Sequence, residues 1–381
     1  MPHKKTLIPF GPQHPVLPEP IQLKLTLEDE RVVDAVPAIG YIHRGLEKLA
    51  ETKDFLQNVF LIERICGICS FQHSMGYCMA LEEILGVEVP PRALYLRLIW
   101  TELHRIHSHL LWLGLFADAF GYENLFMQAW RVREQVLDVL EATAGARIML
   151  GTCCIGGVRR DIPPEGLKGV LRALDHLEED LHVLTPVFLE DRTIRSRTEG
   201  VGILSAHDAH KLGAVGPVAR ASGVPFDLRA VPGYGVYGEL GVEPQVETGG
   251  DCHARTKVRL RELTQSIDLI RRAIARIPES PSRVAVAAAT VSPPAGAAPN
   301  ALAASFRGNP QGEAIIRLEQ PRGEVLYYVR GNGSKILDRV RVRTPTFANI
   351  PAMLAMLPGS ELADVPVIVL TIDPCISCTE R

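Results

Sequence analysis

The chain has 381 residues, 46% of them hydrophobic and 22% charged, with a net charge of −3. That mixture can bury a large core and excludes general disorder, and nothing in the overall charge balance points to a nucleic-acid binder. The most apolar short runs, 284–291 and 365–372, fall short of the ~20 residues that cross a bilayer, and the start (Met1-Pro2-His3-Lys4-Lys5) leads into no signal-type run.

Prolines at 2, 9, 12, 15, 18, 20 and 37 predict loops and short strands over 1–40. Ile21 to Leu27 alternates apolar and polar, which reads as a strand, with Val32 to Val36 as its hairpin partner. Helices are predicted over 43–62, 71–85, 92–119 and 124–150. The third repeats Leu96, Ile99, Leu103, Ile106, Leu110 and Leu113 every three or four residues, and the fourth Val132, Val136, Val139 and Leu140, as in a bundle. A Gly/Pro break at 151–166 precedes a helix over 165–190 and shorter helices to 222. Gly- and Pro-rich loop fills 223–250, and a further helix covers 250–277. Residues 279–312 read as an Ala/Pro/Gly linker. A small sheet is expected from Ala314 to Leu318 and Gly323 to Arg330, and the run 365–372 reads as a strand stopped by Pro374. The expected fold is mainly α with small α+β parts around a central long-helix bundle. Its segments are 1–62 (loops, small sheet and first helix), 63–278 (helical core) and 279–381 (C-terminal α+β), forming one cooperative unit.

Four of the eight cysteines form two Cys-x-x-Cys pairs, Cys66/Cys69 and Cys375/Cys378. Two residues between thiols let both sulfurs reach one metal, and thiolates favour soft or borderline metals. A structural zinc site normally closes over ~15–20 residues, whereas about 300 separate these pairs. A shared metal centre, a four-cysteine zinc site and two separate redox pairs remain open on chemistry alone.

The surrounding residues add a resemblance. Arg64-Ile-Cys66-Gly-Ile-Cys69 with His73 four residues on, and Asp373-Pro-Cys375-Ile-Ser-Cys378 at the end, resemble the large subunit of nickel–iron hydrogenases. Further segments resemble both the membrane-bound, energy-converting hydrogenases (Ech and CO-induced, group 4) and the quinone-site, 49 kDa-type subunit of complex I. They are Gly11-Pro-Gln-His14-Pro15, Gly40-Tyr-Ile-His43-Arg44-Gly45-Leu-Glu47-Lys48, Glu102-Leu-His104-Arg105-Ile-His107-Ser108-His109, Gly249-Gly-Asp251 and Pro321-Arg322-Gly323-Glu324. Complex I subunits lack the four thiolates, and this chain has them all.

The resemblance implies reversible 2H⁺ + 2e⁻ ⇌ H₂ at a nickel–iron centre. Cys66 and Cys375 would be terminal on nickel, and Cys69 and Cys378 would bridge nickel to an iron carrying CO and cyanide (CN). Glu19 occupies the position of the family's proton-gate glutamate; on its own it reads as a loop acid. Arg322 resembles an arginine that leans over the metals toward a cyanide; its plain reading is a turn arginine at the surface. His73 would bond a bridging sulfur, or be a satisfied core histidine. Asp118 resembles an active-site pocket aspartate. Glu47 aligns with an acid that holds a second metal, Mg or Fe, in relatives; Arg381 replaces their terminal histidine and could pair with an acid instead. His104, His107 and His109 read as structural hydrogen-bonders rather than ligands, and His14 matches a quinone-site histidine. Cys78, Cys153, Cys154 and Cys252 read as buried small hydrophobes.

No cysteine pattern remains for an iron–sulfur cluster. The resemblance therefore implies an iron–sulfur small subunit with a 4Fe–4S cluster, a ferredoxin-like subunit or ferredoxin as donor, and membrane antiporter-like subunits, with no nucleic acid. The chain would lie peripherally on the cytoplasmic face of the membrane. The alternatives are a nickel-free, complex I-like quinone-site scaffold and a zinc-stabilised structural protein.

Overall fold

In the computed structural model, which describes residues 5–283 and 309–381, the chain opens with an antiparallel sheet of β1 (Lys5–Phe10), β2 (Gln22–Glu28) and β3 (Arg31–Ala38). Leu23, Leu25 and Leu27 fill the inner face of β2, as the alternation predicts. The edge strand β1 buries little more than Phe10, so its sequence carries no alternation to find.

The helix expected over 43–62 is two: α1 (Leu46–Ala50) and α2 (Phe55–Glu63). Asp54 starts α2 afresh, its carboxylate accepting the Leu56 N–H. Then come α3 (Ser70–Leu85), α4 (Pro91–Asp118) and α5 (Glu123–Ala144). α5 stops at Gly145, in the left-handed conformation (φ 85°), rather than at 150. The Gly/Pro break holds a two-stranded ladder, β4 (Cys153–Cys154) and β5 (Gly157–Val158). α6 (Pro164–Glu190) follows, then α7 (Arg192–Thr198), α8 (Ala206–Lys211), α9 (Gly216–Ala221) and α10 (Tyr237–Leu240), and then α11 (Cys252–Arg276), capped by Asp251 through the Ala254 N–H. α4 packs between α5 and α11 and is buried on nearly every side, polar residues included.

The C-terminal part is an antiparallel sheet of β6 (Gln311–Gln320), β7 (Gly323–Asn332) and β8 (Leu337–Arg343). β6 begins inside the stretch read as linker; the rest of that linker, from 284 to 308, lies outside the described residues. β8 is an addition to the predicted strands. A register shift at Arg330/Gly331 spaces its buried residues as Leu337, Val340 and Val342, which breaks the period-two signal. Helices α12 (Pro345–Met356), α13 (Val365–Thr371) and α14 (Ile376–Thr379) complete the chain. α13 corrects the strand expected over 365–372. It is buried on all sides, and a continuous apolar run then has no period to separate helix from strand; Pro366 sits in its first turn, where its missing N–H is tolerated. The fold is thus mostly helical with small sheets. No helix among the described residues is long and apolar enough to cross a membrane.

Candidate metal centre

Cys66 and Cys69 lie on the turn between α2 and α3, and Cys69 is the N-cap of α3. Cys375 caps α14 and Cys378 lies within it. The two ends meet so that first thiol faces first and second faces second: Cys375 Sγ to Cys66 Sγ is 3.4 Å, and Cys69 Sγ to Cys378 Sγ is 3.8 Å. The sulfurs of Cys66, Cys375 and Cys378 lie within 4.8 Å of one another, as do those of Cys69 and Cys378 with a ring nitrogen of His73. All four cysteines are buried. Hydrogen bonds from Cys375 and Cys378 push the Cys66 thiol well below its ordinary range, while burial pushes Cys69 and Cys378 up. Buried thiols set against one another in this way are a set whose protons a soft cation can displace.

Asp373 turns the chain into the second pair with φ 55°, a left-handed value that Asp tolerates better than most residues. Its carbonyl and carboxylate accept from Arg322 Nε (2.8 Å) and Nη2 (2.9 Å). Arg322 is at the tip of the β6–β7 hairpin, but the tip is inside the protein. Gly216 and Gly323 pack backbone to backbone there: a Cβ on Gly216 would lie 2.4 Å from Gly323 Cα. A surface turn is therefore excluded, and Arg322 is only 4% exposed. Asp373 and the thiol groups keep the guanidinium charged against burial, and its Nη1 has no hydrogen-bond partner. An orphaned, buried donor beside four thiols fits a metal centre that brings an anionic ligand of its own.

Glu19 is half-buried and lies against the second pair from outside. Its carboxylate accepts the backbone N–H of Ser377, the residue before Cys378, at 2.9 Å, and the Ser377 hydroxyl. Its other side faces a cleft of about 290 Å³ lined also by Pro12, His14 and Leu17. His73 Nε2 is 3.4 Å from Cys378 Sγ, and burial pulls the pKa of the ring down to about 4.

The family description "Nickel-dependent hydrogenase" matches residues 44–116, and "Respiratory-chain NADH dehydrogenase, 49 Kd subunit" matches residues 120–381. A carbon monoxide-induced hydrogenase of Rhodospirillum rubrum is 39% identical over 98% of this chain and 99% of its own. The chain belongs to this family. Within it, the resemblance is to the membrane-bound, group 4 type. The membrane-bound hydrogenase subunit alpha of Pyrococcus furiosus is 41% identical over 98% of this chain and 87% of its own. A chain of the membrane-bound sulfane sulfur reductase, an archaeal respiratory membrane complex, superposes with a TM-score of 0.89 at 31% identity, covering 99% of this chain and 98% of that one.

Two residues carried over from the family pattern stand elsewhere. Asp118 is exposed at the far end of α4. His104, on the same helix, touches the first Cys-x-x-Cys turn through the Ile68 carbonyl. Fourteen residues of helix at ~1.5 Å each carry Asp118 about 20 Å along the axis from that point, so it is no pocket residue here. Glu47 is taken up by protein. It accepts from Arg381 Nε (2.6 Å), Arg341 Nη1 (2.9 Å) and the Val342 N–H (2.9 Å). Two guanidinium groups leave no place for a dication, and Glu47 belongs to no metal-capable cluster among the described residues. The pairing of Arg381 with an acid holds.

The three histidines of α4 each bond to protein. His104 Nδ1 donates to the Ile68 carbonyl (3.1 Å), His107 Nδ1 accepts from Arg133 (2.9 Å), and His109 Nε2 donates to Glu262 (2.9 Å). His14 packs its ring on Phe10 at 4.2 Å. Sequence reasoning missed Asp373 as the partner of Arg322, and Tyr327, whose hydroxyl meets His73. The inward period of β7 was the available signal for Tyr327.

Proposed function

We propose that this chain is the catalytic large subunit of an energy-converting nickel–iron hydrogenase. The observation that carries the reading is the convergence of Cys66, Cys69, Cys375 and Cys378 near the buried Arg322, whose Nη1 has no partner. Bound there, a nickel–iron centre with CO and cyanide on its iron supplies the reversible combination of two protons and two electrons into H₂.

The chain supplies the rest. The sulfurs of Cys66 and Cys375, and of Cys69 and Cys378, would together hold that centre. Arg322, held by Asp373, presents one free N–H edge to the anionic ligands. Glu19 moves protons between the Cys375–Cys378 turn and the cleft at His14. The buried walls keep water from the sulfurs, which raises the strength of each of these charge interactions. Electrons come from an iron–sulfur subunit fed by ferredoxin or a ferredoxin-like subunit, and antiporter-like membrane subunits couple the reaction to ion movement. The complex lies on the cytoplasmic face. The subunit nature of the relatives supports these partners.

The cleft at His14 and Glu19 favours a second reading, a nickel-free scaffold beside a quinone. The complete thiol set weighs against it. Metal analysis and infrared spectroscopy of the purified complex decide between them. Nickel and iron in equal amounts with CO and cyanide stretches are expected; zinc alone, or no metal, overturns the proposal.

A further inference from the structure

Tyr327 sits on the inner face of β7 and is wholly buried. Its hydroxyl is 2.5 Å from His73 Nδ1, and the rings meet edge-on at 6.0 Å. The other nitrogen of that ring, Nε2, faces Cys378 Sγ at 3.4 Å. Hydroxyl, imidazole and sulfur therefore form one line from the sheet to the thiols. α3 is shaped for this line. Gly76 lies mid-helix, three residues past His73, and a Cβ there would come within 2.8 Å of the Tyr327 ring. A glycine in a helix interior is unfavourable relative to alanine, and here it makes room for the tyrosine.

Which nitrogen of an imidazole holds the proton is set by what the other nitrogen meets. A tyrosine hydroxyl donating to Nδ1 leaves the proton on Nε2, directed at the sulfur. The opposite tautomer would turn a lone pair toward an electron-rich sulfur in a dry site. We propose that Tyr327 is a positioning residue: by donating to His73 Nδ1 it fixes the tautomer in which His73 Nε2–H donates to Cys378. This inference rests on the nickel–iron reading of the four thiols.

The test is Tyr327→Phe in the intact membrane complex, with Tyr328→Phe as control; Tyr328 bonds Glu313, away from the thiols. Nickel and iron contents should match wild type in both. In Y327F the CO and cyanide bands should move to lower wavenumber, because a sulfur that loses a hydrogen bond gives more charge to the iron. H₂ turnover should fall about tenfold, the scale of one hydrogen bond; Y328F should change neither. A tyrosine that only fills space would leave the bands in place, so unmoved bands in Y327F overturn the inference. Should Y327F fail to load metal, fluorotyrosines of graded acidity at 327 give the same readout: bands that follow hydroxyl acidity support it, and bands that do not overturn it. A wild-type complex lacking nickel and these bands overturns the hydrogenase reading and this inference with it, an outcome distinct from bands present but indifferent to position 327.

Discussion

Glu19 and Arg322 both reach the second Cys-x-x-Cys turn, Glu19 through Ser377 and Arg322 through Asp373. Glu19 bonds the residue between Cys375 and Cys378 while opening on a cleft. Glu19→Gln keeps the shape and a hydrogen-bonding group but cannot release a proton. Turnover of H₂ should therefore vanish while nickel, iron and the infrared bands stay; retained turnover would refute the proton role. Arg322 has a fork of donors, two committed to Asp373 and one free. Lysine keeps the charge but loses the fork. Arg322→Lys should assemble with metals and lose about 100-fold in turnover, the scale for one preorganised donor at a reacting centre. Steady-state H₂ assays on metal-matched preparations measure it.

Where the C-terminal turn sits is decided between elements. Glu380 accepts the Gly40 and Ile42 N–H groups at 2.5 and 2.6 Å, and its carbonyl accepts from His43. Arg381 ties Glu47 of α1 to the carbonyls of Cys378 and Thr379. Arg381 thus links α1 to α14, and Glu47 in turn takes Arg341 and the Val342 N–H of β8. Arg381→Ala should lower stability by about 1–3 kcal/mol, since Glu47 and the carbonyls lose a charged partner. Chelators acting on this corner should change nothing, and denaturation curves with and without EDTA check both points. Within the helices, α4 and α11 share a buried ionic network. Arg220 and Arg229 meet Glu262, Glu102 and Asp227, and Tyr237 and Ser266 complete the bonds of Glu102. Burial alone would raise Glu262; Arg220 and His109 hold it well below the usual carboxylate range. An α4 that buries such residues gives each of its histidines one protein partner, the Ile68 carbonyl, Arg133 and Glu262 in turn.

For the molecule as a whole, pH and metal act on stability through buried groups. Burial lowers the pKa of His104 and His109 from 6.5 to about 4. Between those values the unfolded chain binds more protons than the folded one. Stability present above pH 6.5 is therefore lost progressively as pH falls toward 4. Unfolding midpoints followed against pH should show this slope, and His109→Gln, which can still donate to Glu262, should flatten it. The thiols act on the same quantity, because the two pairs come from opposite ends of the chain. A metal held by all four binds only the folded state and stabilises it. Cys378→Ser should lose nickel and iron and melt at a lower temperature than the loaded complex; an unchanged melting temperature would show that the ends are held by packing alone.

The Cys-x-x-Cys pairs, their neighbours Arg64, His73 and Asp373, and the strand at Ile21 to Leu27 were legible in the sequence because each depends on local spacing. Helix α5 was legible for the same reason, and only its end at Gly145 was missed. Residues 365–372 were not legible, because burial on every side erases the period that separates helix from strand. Glu47 and Asp118 show a different limit: a family pattern gives a position but not its neighbours. Here the neighbours are Arg341 and Arg381 for the one and solvent for the other. Sequence by itself determined that four thiols in two pairs could share a soft metal. Only the tertiary structure decided that first meets first and second meets second, that Arg322 is buried with one donor free, and that Tyr327 reaches His73. Each of these joins residues far apart in the chain, and such distances are set by how helices and sheets pack, which no local pattern encodes.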